Sequence, residues 1–319
     1  MFPTPRRLHR FFHVLGGIAV TAILVAPLQA QNDSIRRTLG KHTFLPSALL
    51  GDPFAGTYVR NLTGGGSAVG LQVPKLNLDE QVLEYQDASI GFLTVGMEYQ
   101  QAVASWLALR VGFSGGARLG TSGVALLSEG VTAQFGGTLG ATAKLIRSDR
   151  FILSATADVL PGIAYQVSIF DYIKDVIENG FENANSLVDE SSPYRYRFGL
   201  SGAYAVAPWL GLQATGTAGP TRDQLDSTQT EIRVGAGASV DFDPIGPPIG
   251  VLLGYLYTDP AQGSDVTGGA GLTNLGVFYT GHKRFVVGLD MTFASADQVQ
   301  GDKKINVVQG RIVLRYDFK

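Results

Sequence analysis

Charged residues recur an even number of positions apart along this chain. Arg195 and Arg197, Glu231 and Arg233, and Arg311 and Arg315 are spaced in this way, and Glu98, Arg110, Lys144, Asp158, Asp241 and Asp290 each sit between apolar neighbours. In an extended strand such spacing gathers the charges on one face. Carboxylates and guanidinia held there can pair and brace a wall, or, held apart, can orient a polar solute. Other chemistry finds little support. A nucleophile needs a positioned base, most often histidine, and beyond residue 30 the only histidines are His42 and His282, the latter in a short polar stretch beside Lys283. A serine with an acidic or lysine partner is conceivable, but no residue marks one. Cysteine is absent, and beyond residue 30 no two histidines have metal-ligand spacing. No G-x-x-x-x-G-K-[ST] loop occurs among the 41 glycines. No catalytic residue, cofactor or metal site is therefore expected, and a formal charge of −2 argues against a nucleic-acid partner.

The elements that carry these charges have a period of two. Leu107, Leu109, Val111 and Phe113 alternate with Ala108, Arg110, Gly112 and Ser114. Leu93, Val95, Met97 and Tyr99 alternate with Glu98 and Gln100; Ile232, Val234, Ala236 and Ala238 with Glu231 and Arg233; Phe285, Val287, Leu289, Met291 and Phe293 with Asp290. The apolar parity of these strands is free of charge. That suits lipid, where a Lys or Arg at mid-bilayer costs about 2–4 kcal/mol. A soluble sandwich also alternates, but its inner side must interdigitate with a second sheet. Here the apolar side mixes Ala and Gly with large residues, and the charged side is rich in Gly, Ser and Thr.

Short connections such as "VAS", "RSD", "VAP", "DPIGPP" and "GHK" alternate with longer ones near 74–87, 119–128, 163–193, 220–228, 259–268 and 296–304. This reads as about twelve strands, the first near 55–73 and the last near 305–318, with both termini beside the short turns. The first strand patterns least well, because "TYVRNLTGGGSAVGLQV" is dominated by glycine. In the longest loop, Asp171 as an N-cap, Ile173, Val176 and Ile177 at helical spacing and Gly180 as a stop suggest a short helix. It could fold inward as a constriction or pack on the rim.

Residues 1–30 have the form of a cleaved signal peptide: Arg6, Arg7 and Arg10, an apolar run from Leu15 to Ala26, and a small residue at Ala30. Residues 31–54 then form either a periplasmic tail or a small plug, and residues 55–319 the sheet. Beyond the signal no run of 18 or more uncharged apolar residues is available as a membrane helix.

The chain ends "VVQGRIVLRYDFK", with Val308, Gly310, Ile312, Leu314, Tyr316 and Phe318 on one face. This resembles the C-terminal signature of Gram-negative outer-membrane β-barrels, with Lys319 as an extra residue after the aromatic. The resemblance is to the class and to no particular family. It implies an all-β, transmembrane, antiparallel up-and-down barrel in the bacterial outer membrane. Its partners would be outer-membrane lipid and, through the last strand, the barrel assembly machinery. Trp106, Trp209, Tyr316 and Phe318 would be interface aromatics. The lumen candidates are Glu98, Arg110, Lys144, Asp158, Arg195, Arg197, Glu231, Arg233, Asp241, Asp290, Arg311 and Arg315. The expected function is a porin-like channel or transporter for passive passage of small polar solutes. A closed-lumen barrel acting through its outer loops is the alternative.

Overall fold

The structure, a computed structural model, describes residues 37–75, 84–121, 131–167, 188–222, 228–259, 266–298 and 304–318. The expected signal peptide and the expected helix after Asp171 lie outside these residues. In chain order the strands are β1 (Thr38–Leu39), β2 (His42–Thr43), β3 (Tyr58–Lys75), β4 (Glu84–Ala102), β5 (Leu107–Gly120), β6 (Val131–Arg147), β7 (Phe151–Val167), β8 (Val188–Ser191), β9 (Tyr194–Ala207), β10 (Leu210–Arg222), β11 (Thr228–Asp241), β12 (Ile249–Asp259), β13 (Val266–Tyr279), β14 (Phe285–Gln298) and β15 (Lys304–Asp317). Antiparallel pairing runs unbroken from β6 through β5, β4, β3, β15 and down to β9 and β7, and β6 also pairs with β7. The sheet is a closed barrel of twelve long strands, with β8 a short addition to the far end of β7. The first strand therefore exists, although glycine had blurred its pattern, and it pairs with the last along twelve residues from Asn306 to Asp317.

The long strands run from 11 residues in β12 to 19 in β4, against the roughly 9–11 that a tilted strand needs to cross the hydrocarbon. Several extend beyond the limits read from sequence: β3 reaches Lys75, β4 begins at Glu84 and β7 continues to Val167. The sequence reading places these stretches in the longer connections near 74–87 and 163–193, whereas the ladders carry the strands into them. Backbone pairing continues past the point where burial in lipid demands it.

The outward parity is apolar on every side. Leu93, Phe113, Phe135, Phe198, Val234, Leu253, Leu289 and Ile312 are all exposed. A patch of that extent would be unstable in water and is satisfied in lipid. The inner parity is built of small and polar side chains, including Thr142, Ser154, Ser201, Ser239, Asn274 and Asp290, all buried. Closure matters because an unpaired edge in hydrocarbon would leave backbone groups without partners.

Candidate functional site: the barrel interior

Residues 37–57 lie inside the barrel at its short-turn end. Their contacts are with inner-parity residues around the circumference. His42 Nε2 is 2.8 Å from Ser239 Oγ on β11, and Ser154 Oγ on β7 donates to the Pro53 carbonyl at 2.6 Å. Gln100 Nε2 on β4 donates to the carbonyls of Phe54 and Gly56, each at 2.9 Å. Two apolar clusters seat the segment. Leu39, Phe44 and Phe54 pack on Ile152, Ala203 and Ala205, and Leu45 packs on Leu252, Phe278, Val286 and Val313. The hairpin β1–β2 forms a separate two-stranded sheet and joins no wall strand. One cavity between segment and wall, beside Ser47, Asp52 and Arg60, has a volume of about 10 Å³, room for roughly one water.

Charge anchors the segment to the last strand. Arg37 Nη2 meets Asp317 Oδ2 at 3.1 Å, and Arg315, itself bonded to Asp317 Oδ1 at 2.9 Å, pairs with Asp52. The Arg315 guanidinium also lies 3.7 Å from the centroid of the Tyr58 ring.

Above this lies a belt of ion pairs. Arg60 Nη2 contacts Glu98 Oε1 at 3.2 Å, Arg110 Nε contacts Glu98 Oε2 at 3.8 Å, and Arg110 Nη2 contacts Asp158 Oδ1 at 2.5 Å. Arg110 on β5 reaches Asp158 on β7 across β6. It can do so because the residue in register with both is Gly140, where a Cβ would overlap the Asp158 carboxylate. Gly140→Leu is expected to break this pair, leaving the Asp158 carboxylate without it. A barrel melting point equal to wild type would contradict the bridge.

On the opposite wall Arg197 (β9) reaches Glu231 (β11) over Gly219 (β10), Nη2 to Oε1 at 3.0 Å. Arg233 and Arg195 approach the same carboxylate at 3.6 and 4.0 Å. Arg311 Nη2 meets Asp290 Oδ1 at 2.7 Å, and Asn274 Nδ2 donates to Asp290 Oδ2 at 2.6 Å.

Of the residues singled out from sequence, Glu98, Arg110, Asp158, Arg195, Arg197, Glu231, Arg233, Asp290, Arg311 and Arg315 thus join ion-paired groups on the inner parity. Asp241 is buried at the short-turn end and accepts from the Asp243 amide at 3.1 Å. Lys144 stands apart, with no ion pair among the described residues. Trp106 and Trp209 are exposed beside short turns, and Tyr316 and Phe318 pack edge-to-face on the outside, centroids 5.0 Å apart. Sequence reading missed Arg60, Tyr58, Arg37 and Asp52. Arg60 alternates with Tyr58 and Leu62 and was findable once β3 was accepted; the segment residues follow no period at all. His42 is buried among segment and wall, and His282 Nδ1 accepts from the Phe285 amide at 3.0 Å within a turn.

Two groups of the segment make its seating sensitive to acid. Burial would raise the Asp52 carboxyl, but Arg315 and Arg37 outweigh it and hold it below the ordinary carboxylate range. Burial pushes the His42 imidazole down to about 4, against a weaker opposing hydrogen bond to Pro208. A depressed value in both cases means that the seated state binds fewer protons than the released one. Seating is therefore weakened progressively from about pH 6.5 downward as His42 is forced to charge, and further as Asp52 is neutralised. Protease access to residues 37–57 should rise on acidification, and should do so less with His42→Gln.

No family model and no curated protein matches the chain. Solved structures do. An outer-membrane channel of Pseudomonas putida F1 matches with 14% identity over 86% of this chain and 100% of that one, TM-score 0.50. The translocator domain of the autotransporter NalP from Neisseria meningitidis matches with 14% identity over 82% and 88%, TM-score 0.46. The P. putida toluene transporter TodX matches with 12% identity over 91% and 99%, TM-score 0.45. At such identities the likeness concerns the fold. The closed twelve-stranded barrel with its continuous apolar exterior is that of a bacterial outer-membrane β-barrel protein.

Proposed function

We propose that the protein is an outer-membrane channel, with its short-turn end periplasmic, that passes small polar solutes passively through a charged lumen narrowed by residues 37–57. One observation carries this reading: the segment occupies the interior without being part of the wall. Its hold consists of side-chain hydrogen bonds, two small apolar clusters, ion pairs and two isolated backbone bonds, from the Gly40 amide to the Asp149 carbonyl and from the Phe318 amide to the Thr57 carbonyl, with no ladder to any wall strand. Such a filling can shift while the barrel stays closed. A cleft of about 580 Å³ opens beside it at the rim, near Lys41, Arg150 and Pro208. The solved P. putida F1 channel of the same fold is consistent with this reading.

The tightness of the seating, with Phe44 and His42 fully buried, favours a second reading in which the lumen stays closed and the outer loops act. Planar-bilayer recordings separate the two. The channel reading expects small steps from the intact protein and steps several-fold larger after deletion of residues 37–56. Silence from both proteins, with the barrel intact, would leave the closed-lumen reading.

A further inference from the structure

The inner face carries four ionic groups, and three of them balance. Arg60 and Arg110 meet Glu98 and Asp158; Arg311 meets Asp290; Arg37 and Arg315 meet Asp52 and Asp317. The fourth does not balance among the described residues: Arg195, Arg197 and Arg233 all make their ion pairs with Glu231, and Asp158, already paired with Arg110, is the further carboxylate facing Arg233. Arg197 holds the carboxylate with two nitrogens, Nε at 3.2 Å and Nη2 at 3.0 Å. Arg195 and Arg233 stand farther off, their nearest approach being through Nε at 4.0 and 3.6 Å. At those distances neither guanidinium closes on Glu231 with the planar fork that grips a carboxylate or phosphate.

Exposure separates the same two residues from the rest. The side chains of Arg195 and Arg233 are 34% and 22% exposed, whereas that of Arg110 is 9% and that of Arg315 is 1%. Glu231, at 2%, lies beneath them. The wall under the cluster is β10, whose residue in register with Glu231 is Gly219, where a Cβ would run into the backbone of β9 at Tyr196 and Arg197. Like charges crowd together at a cost, and one buried carboxylate offsets one of three.

We infer that Arg195 and Arg233, set by the Arg197–Glu231 pair, form a station for small solutes that carry a carboxylate or phosphate group. This deepens the channel reading and rests on it: the passing solutes would be anions, and the pore anion-selective.

The test uses the full mature chain and the double variant Arg195→Gln/Arg233→Gln, which keeps the Arg197–Glu231 pair. Heat-modifiable migration on denaturing gels shows that both barrels are folded. Under a KCl gradient the wild-type reversal potential should report chloride preference, and the variant should lose at least several-fold of that preference. In calorimetry on the detergent-solubilised proteins, inorganic phosphate should bind the wild type and bind the variant at least tenfold more weakly. A wild type that conducts without preference and binds phosphate no better than the variant overturns the station while leaving the channel standing. If neither protein conducts, even without residues 37–56, the channel reading falls. Phosphate binding that the variant loses would then still support the site, and its absence would overturn it.

Discussion

Gly64→Val combined with Gly66→Val is expected to abolish the heat-modifiable barrel. These glycines lie where the first and last strands meet, opposite Arg311 and Gln309. A Cβ at Gly64 would overlap the Gly310 carbonyl and come within 2.7 Å of the Arg311 Cα; one at Gly66 would overlap the Val308 carbonyl and come within 2.9 Å of the Gln309 Cα. The obstructing atoms are backbone, so no rotamer change relieves them. Overpacking costs about 1–3 kcal/mol where side chains can adjust, and here relief requires the strands to part. Parting exposes ladder groups to lipid, at several kcal/mol for each unsatisfied group. Gly310→Val is the control: it stands in the same stretch of β15, and a Cβ there meets nothing within 4 Å. The seam argument fails if the double variant still migrates faster unboiled than boiled, or if Gly310→Val is equally disabling.

Arg315→Leu is the second large effect expected, and it concerns the segment more than the wall. Arg315 is buried, with Asp52 and Asp317 as ionic partners and Tyr58 against its guanidinium face. Removing it leaves Asp52 without its pair, while Asp317 keeps Arg37. Breaking one side of a buried pair typically costs about 3–5 kcal/mol, equivalent to roughly 10²- to 10⁴-fold in the balance between seated and released segment. The chain has no cysteine, so Leu50→Cys, at a position buried against Gly235 and Gly237, provides a single reporter. Thiol labelling should be slow with Arg315 present and faster by about the same factor in its absence. Adding Asp52→Asn should recover part of the protection, since the stranded charge is then gone. Unchanged labelling would show that the apolar clusters alone hold the segment.

Much of the architecture was legible in the residues. Leu107 to Phe113 alternating with Ala108 to Ser114 names a face for every side chain, because a strand has only two. Charges confined to one parity then say which face avoids lipid. The inner groups were legible only as a set. That Arg110 would reach Asp158 two strands away, in addition to Glu98 on the adjacent strand, depends on Gly140 lying between them, a relation set by the stagger of three strands. The glycines "TGGGS" obscured the first strand in the sequence, and the structure shows their use in the close approach of β15.

The alternation by itself determined a closed sheet with a lipid-facing outside, since local side-chain direction and the cost of charge in hydrocarbon are both one-dimensional constraints. Tertiary structure alone decided which charges pair, that three arginines share one glutamate, and that residues 37–57 sit inside. The segment has no period to read. Its place follows from volume and counter-charge, a space shaped by strands distant in sequence and two aspartates and two arginines that meet only once the barrel has closed.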